Sequence, residues 1–348
     1  MISARPALRS VGTRTLGFVL VTQRRVIVSG MGGELGSLVA ARLEAEPWVG
    51  EVVGIDVDPP RRRLRRATFH RVEPTDRARI VELVTAVDPH VVVHFAVYEP
   101  DARAAPAQAA AWSVAAALNV LGAAAECPSL ESIVVRSGIE VYGRARGVPV
   151  RPTEAAAVAP TSAFGRELAE VERIARSVGA TCHVPVAAMR LAPVMGPHVP
   201  SPLGRLLRLP VVPFDLLADP AFTVIDNRDA ATATTAAARL RHDGPLNIVS
   251  AGATTARHAA RRGRRLATPV VGPQWRIARL AAQLFGAPVP DHVSELLARG
   301  RLADASLAAD ALGVTPAWTT PQVIDGLYAW ESVAHFRPAT RAVDRNVA

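Results

Sequence analysis

Arg25-Val-Ile-Val-Ser-Gly30 reads as a short buried strand that stops on glycine. The chain continues as Gly30-Met-Gly-Gly33-Glu-Leu-Gly36 into the apolar-periodic run Ser37-Leu-Val-Ala-Ala-Arg-Leu43. A strand, a glycine turn and a helix in that order aim unpaired backbone N–H groups at a phosphate. Gly30 permits the tight turn, Gly33 lets the backbone approach a pyrophosphate, and Gly36 lets the helix lie close on the sheet. One βαβ unit later, Glu51-Val-Val-Gly-Ile-Asp56 is a second strand ending in a carboxylate. That carboxylate suits a hydrogen bond to an adenosine ribose, so the segment reads as a dinucleotide site. Asp56 favours NAD because a carboxylate repels a 2′-phosphate. Arg61, Arg62 and Arg63 lie just beyond and keep NADP as the second choice.

Further strands near 51–56, 68–72, 91–95, 132–137 and 183–189 alternate with apolar-periodic helices. That alternation predicts an α/β chain, a parallel sheet covered on both faces. Pro- and Gly-rich stretches around 193–213 and 268–290 read as loops. The helix after Pro273, with Trp275, Leu280, Leu284 and Phe285, is amphipathic and reads as core or dimer surface.

Other segments line up in a recognisable order. They are His94-Phe-Ala96, Asn119-Val-Leu-Gly122, Ile133-Val-Val-Arg-Ser-Gly-Ile-Glu-Val-Tyr-Gly143 and Arg190-Leu-Ala-Pro-Val-Met-Gly-Pro197. Asp229, Gly244-Pro-Leu-Asn-Ile248 and Ala311-Leu-Gly-Val-Thr-Pro316 complete the series. With the glycine spacing, this series resembles the extended branch of the short-chain dehydrogenase/reductase superfamily, the NAD-dependent epimerases and dehydratases of the UDP-glucose 4-epimerase type. The resemblance implies a Rossmann-like doubly wound parallel sheet with a smaller, interleaved C-terminal substrate domain. The corresponding division is a leader over 1–23, a dinucleotide domain over 24–190, a substrate region over 191–330 and a tail over 331–348. It implies NAD held by Gly30, Gly33, Glu34, Leu35, Gly36, Asp56, Glu73, Phe95, Ala96 and Asn119, a nucleotide or nucleotide-sugar ligand, and a possible homodimer.

The catalytic positions depart from that pattern. The family uses a Ser or Thr before its Tyr-Gly element and a Tyr-x-x-x-Lys helix. The tyrosine moves a proton as hydride moves to or from the nicotinamide, and the lysine lowers the tyrosine pKa. Here the frame is Ala159-Pro-Thr-Ser-Ala-Phe164-Gly-Arg-Glu-Leu168, with Phe164 for the tyrosine, Leu168 for the lysine and Gly138 for the hydroxyl. Ser137, Tyr98 and Glu140 are the candidates to fill in; Arg166 falls about 200° from Phe164 around a helix and faces away. The expectation is therefore an NAD-binding protein without the standard chemistry, a sensor, scaffold or pseudoenzyme. The alternatives are an active enzyme with relocated acid–base groups and an interaction protein that binds no dinucleotide. Three departures bear on the ligands. Glu34 must turn its charge outward or weaken pyrophosphate binding. Pro74 after Glu73 removes an N–H from the adenine side. Pro193 replaces the family's substrate-side Asn.

Composition closes off other classes. All 40 basic residues are arginine, so no lysine-dependent or Schiff-base mechanism can operate. The formal net charge of +9 invites nucleic acid. The arginine runs, however, sit in no reading module and are not interleaved with aromatics, so no specific nucleic-acid partner is expected. Cys127 and Cys182 make no disulfide framework, and a reduced, cytoplasmic setting is expected. His90 and His94 lack a third ligand, so no metal is expected. The apolar run 16–21 is too short to span a bilayer, and no membrane association is expected.

Overall fold

The protein is described here from a computed structural model covering residues 23–100 and 105–329. The leader and tail expected at the two ends lie, almost entirely, outside the described residues.

Seven parallel strands form the central sheet: β1 (Arg24–Ser29), β2 (Val49–Asp56), β3 (Thr68–Arg71), β4 (Val91–His94), β5 (Ser132–Gly138), β6 (Val186–Leu191) and β10 (Gly244–Ile248). Their order is β10-β6-β5-β4-β1-β2-β3. The central strands are Val/Ile runs buried on both faces, as a parallel sheet between two helix layers requires. The crossovers are α1 (Glu34–Leu43), α2 (Arg77–Val87), α3 (Pro106–Ala125) and α4 (Ala163–Cys182), with α6 (Asn227–Leu240) before β10. The strand order reverses between β1 and β4, and a crevice opens beyond the carboxyl ends of the strands at such a switch point. The α3 helix is twenty residues of mostly alanine and other apolar side chains, packed between α2 and α4.

One strand begins later than the sequence suggests. The α4 helix runs on to Cys182 and is capped by His183 in the left-handed region (φ 58°), so β6 starts at Val186 rather than 183. The stretches expected as loops also carry elements: β7 (Val194–Met195), α5 (Pro202–Arg208), β8 (Val211–Asp215) and the end of β11 (Leu266–Val270), with the expected amphipathic helix as α8 (Gln274–Leu284); β9 (Ile225–Asp226) and α7 (Ala256–Arg262) lie between these stretches. Ser201 explains α5, since its hydroxyl caps the Gly204 N–H and Pro202 fills the first helical position. The chain closes with α9 (Asp291–Arg299), α10 (Ser306–Leu312) and α11 (Thr320–Ala329).

Two hydrophobic cores result. The larger lies on both faces of the sheet and includes α6, β10 and α10. The smaller joins α5, α7, α9 and α11 around Leu206, Phe222, Leu296 and Ile324. The C-terminal half is thus threaded back into the sheet rather than set apart from it.

Candidate functional site

The glycine turn is shaped by close approach. Gly30 has φ +79°, and a Cβ there would lie 2.4 Å from the Phe95 carbonyl carbon. A Cβ on Gly36 would lie 2.0 Å from the Gly30 carbonyl oxygen, which is how α1 is drawn onto the turn. Gly33, the N-cap of α1, faces open space, its nearest neighbour being the Gly30 oxygen at 3.5 Å. The first N–H groups of α1 have no intrahelical partner and carry the positive end of the helix dipole.

These residues line a cavity of about 260 Å³ at the switch point. Gly30, Gly33, Glu34, Leu35, Gly36, Asp56, Phe95 and Ala96 all contribute to its wall. Glu73 does not; it is exposed outside the lining. Asn119 does not either, because its amide donates to the Pro74 carbonyl at 2.8 Å and holds the loop after β3. Tyr98 does line the cavity, set edge-on to Trp112 with ring centroids 5.4 Å apart. Burial, reinforced by Asp56 and Glu73, pushes its phenol pKa upward.

Asp56 has a double task. Its Oδ2 accepts from the Gly32 N–H at 2.8 Å and Oδ1 from the Val57 N–H at 2.6 Å, so the carboxylate holds the glycine turn in place. Burial raises its pKa, and those backbone donors oppose the rise. Glu34 departs from expectation. Its carboxylate is not turned outward but buried, where Oε1 accepts from Arg62 at 2.5 Å and 3.1 Å. The cation that neutralises it comes from the arginine run after β2. Neighbouring Arg61 reaches across to the His198 carbonyl at 3.3 Å. The sequence marked that run only as what keeps NADP the second choice, and nothing local indicated the pairing.

His94 ends β4 beside this turn, fully buried, with Nδ1 2.7 Å from the Ser29 hydroxyl. Burial takes its pKa down to about 4, so it is neutral. The His90 Nδ1 accepts from the Arg25 N–H at 3.2 Å. Among the described residues no cluster of three metal-ligating side chains occurs.

The catalytic positions meet in a second cavity of only about 30 Å³, lined by Gly138, Phe164, Leu168 and Pro193 among others. That is room for one or two waters between these side chains. The α4 helix starts at Ser162, whose hydroxyl caps the Gly165 N–H at 3.1 Å. It presents Phe164 and Leu168 one turn apart on its buried face, while Arg166 is exposed on the other side. The α9 helix covers this face. The Phe164 and His292 rings lie 4.8 Å apart, and Asp291 Oδ2 accepts from the Ala163 N–H at 2.6 Å.

The candidate replacements are held by other partners. Ser137 donates to Glu172 at 2.6 Å, and Arg190 grips the same carboxylate with two bonds of 2.9 Å. Arg190 continues to the Tyr142 hydroxyl at 2.9 Å, which donates to Asn247 at 2.7 Å. Glu140 accepts from Arg301 at 2.8 Å, both buried. What sequence reasoning missed is His292. Its Nε2 lies 3.0 Å from Glu99 Oε1, and Glu99 in turn lies 3.6 Å from Arg136; Glu99 and Arg136 line both cavities. Burial opposes the charge on His292, but Asp291 and Glu99 outweigh it and raise the pKa to about 9. Nδ1 sits 3.7 Å from Asp291, too far for a hydrogen bond, so that attraction is Coulombic. Behind them Glu167 is pushed up to about 7 by burial, against Ser113 and Arg136. A histidine more than a hundred residues beyond the catalytic frame gave no signal that it would return to it.

A family model described as "NAD dependent epimerase/dehydratase family" matches residues 26–209, more than half of the chain. The chain belongs to this family. Among curated proteins it is similar to Uncharacterized protein Rv0501 of Mycobacterium tuberculosis, 28% identical over 313 residues, covering 87% of this chain and 83% of that protein. The Mycobacterium bovis protein Mb0513 matches to the same extent. Among solved structures, UDP-glucose 4-epimerase from Brucella ovis in complex with NAD superposes with TM-score 0.67 at 19% identity, covering 88% of this chain and 96% of that one. MoeE5 in complex with UDP-glucose and NAD gives 0.66 at 20% identity, covering 87% and 97%. These likenesses show the fold: an α/β Rossmann-like parallel sheet flanked by helices.

Proposed function

We propose that this chain is an NAD-binding member of its family that takes a nucleotide-sugar type ligand without performing the Tyr-Lys chemistry. The contrast between the two cavities carries this reading. The cavity beside the glycine turn is open, whereas Gly138, Phe164 and Leu168 stand around a space that fits one or two waters. Phenylalanine has no proton to transfer and leucine has no charge to depress a neighbour's pKa.

The residues present fit the dinucleotide. Gly33 leaves its side of the turn free, the α1 N-terminus supplies N–H donors, and Asp56 has lone pairs beyond the two it spends on the turn. Arg62 cancels the Glu34 charge that would otherwise repel a pyrophosphate. Arg61 and Arg62 are both engaged elsewhere and Asp56 stays at the ribose position, which supports NAD over NADP. When bound, NAD supplies a hydride acceptor; the chain supplies the cradle, the ribose partner and exclusion of water by α9.

Thermal unfolding with NAD, NADH, NADP and NADPH tests the reading. A nucleotide raises the melting temperature in proportion to the logarithm of its concentration over Kd. The expected result is a rise with NAD or NADH that Gly33→Asp abolishes. No rise with any of the four, well above micromolar, would overturn it, as would NAD-dependent interconversion of UDP-glucose and UDP-galactose at an ordinary enzymatic rate. That last outcome would instead favour a second reading, turnover through the Glu99–His292 pair that borders the small cavity, and His292→Gln would then remove it.

A further inference from the structure

The α8 helix shows its apolar side to water. Trp275, Ala278 and Ala282, spaced at three and four, face the protein, and only Ala282 is buried. On the opposite side Ile277, Leu280 and Leu284 are 71%, 61% and 79% exposed, and Phe285 just past the helix is 76% exposed. The two stripes are roughly 180° apart on an ideal helix, and Arg276 and Arg279 fall on the flank between them. Neither arginine has an ion-pair partner among the described residues.

Phe285 also borders a groove of about 270 Å³ with almost no polar lining, walled by Val211, Pro213 and Val270 and by the inward-facing Ala278 and Ala282 of the helix. Beside it, Val211 is paired in register with Leu266, and both are well exposed. Sequence periodicity assigned this helix to core or dimer surface; the structure spends only its narrow alanine seam on the core.

We propose that this face docks on a membrane surface containing anionic lipid. Ile277, Leu280, Leu284 and Phe285 enter the boundary between headgroups and acyl chains, and Arg276 and Arg279 lie among the phosphates. A helix with an outward apolar stripe flanked by arginine is the geometry that lies in such an interface. The charge agrees, since neither flanking arginine is ion-paired among the described residues and the chain carries a net charge of +9. A second copy fits less well. A two-fold contact along this stripe would bring Arg276 and Arg279 of both copies into one interface. The groove then receives an acyl chain or a neighbouring lipid methyl.

Co-sedimentation of the full chain with phosphatidylcholine vesicles, with and without phosphatidylglycerol, tests this. Binding is expected only to the anionic vesicles and falls as salt rises. Arg276→Gln with Arg279→Gln weakens it by about tenfold or more. Leu284→Glu with Phe285→Ser abolishes it. Every variant keeps the wild-type melting transition and its response to NAD, because none touches the glycine turn. The proposal is overturned if wild-type protein does not pellet with anionic vesicles. It is equally overturned if the Leu284→Glu, Phe285→Ser variant pellets as well as wild type. It also fails if the stripe proves to be covered by a second copy, seen as a wild-type dimer that this variant converts to monomer. A failed NAD response would leave this result standing, since the two readouts are separate.

Discussion

At Gly36 a Cβ would lie 2.0 Å from the Gly30 oxygen and 2.8 Å from its carbonyl carbon, both backbone atoms that cannot swing aside. Gly36→Ala therefore has to push α1 off the turn, and a loss of roughly 1–3 kcal/mol in urea unfolding is expected. Gly33 stands three residues away with ordinary φ of −68° and open space. Aspartate is also a good N-cap, so Gly33→Asp should unfold within a few tenths of a kcal/mol of wild type. It nonetheless places a carboxylate where a pyrophosphate would approach. The pair separates turn geometry from ligand contact, and equal stability losses in both would refute the assignment. The catalytic frame resists repair for a related reason. A Cβ on Gly138 would sit 2.3 Å from Glu140 Oε2, and Arg301 pins that carboxylate. Leu168 is 1% exposed, so Leu168→Lys buries an ammonium. The variant carrying Gly138→Ser, Phe164→Tyr and Leu168→Lys is expected to lose roughly 3 kcal/mol or more and to gain no epimerase turnover. A stable, active triple variant would show that the site had only lost its side chains.

Among the elements, α9 distinguishes this site, and its hold on α4 titrates. His292 has a folded pKa of about 9, above its ordinary value of 6.5. Its protonated form is the one favoured by the fold. The stabilisation is complete below about pH 6.5 and is lost as pH rises through about 9. The shift corresponds to roughly 3 kcal/mol, so the melting temperature should fall between pH 7 and 9.5 in wild type and far less in His292→Gln. Glu167 works in the same direction over a lower window, since its raised pKa of about 7 makes the folded state bind the extra proton between about 4.5 and 7. An identical alkaline decline in His292→Gln would remove α9 as its source. None of this was legible in the sequence, and the reason is physical. Strands and the glycine turn are local patterns, so β1, β2, β4, β5 and the Gly30–Gly36 turn could be read from period and residue type. The vacancies at Phe164 and Leu168 were also visible, because a helix fixes which residues share a face. His292 over Phe164, Arg62 on Glu34 and Arg301 on Glu140 are contacts between distant parts of the chain, set by packing and announced by no motif.

On the scale of the molecule, one arginine ties the two cores together. Arg301 is anchored in the smaller core by backbone bonds to Ala221 and Thr223, each 3.0 Å. Its guanidinium spans Glu295 of α9 at 2.7 Å and Glu140, in the turn after β5, at 2.8 Å. All three side chains are at most 10% exposed. A buried guanidinium between two carboxylates contributes little net stability over an apolar substitute, but removing it alone leaves two buried negative charges. Arg301→Met is therefore expected to cost roughly 3–5 kcal/mol, and adding Glu140→Gln should recover part of that loss. The shape of the transition carries more information than its midpoint. Wild type should unfold in one step, because Arg301, the Arg144 bond to the Gly300 carbonyl at 2.7 Å and the Ala163 N–H bond to Asp291 at 2.6 Å all cross between the two cores. With Arg301 gone, the smaller core has lost its charged tie to the turn after β5, and near-UV circular dichroism in urea should show it melting first. NAD should then raise only the second transition, since the glycine turn belongs to the sheet. A single transition in Arg301→Met, shifted as a whole by NAD, would mean that the threading of α6 and β10 through the sheet suffices to keep the molecule one cooperative unit.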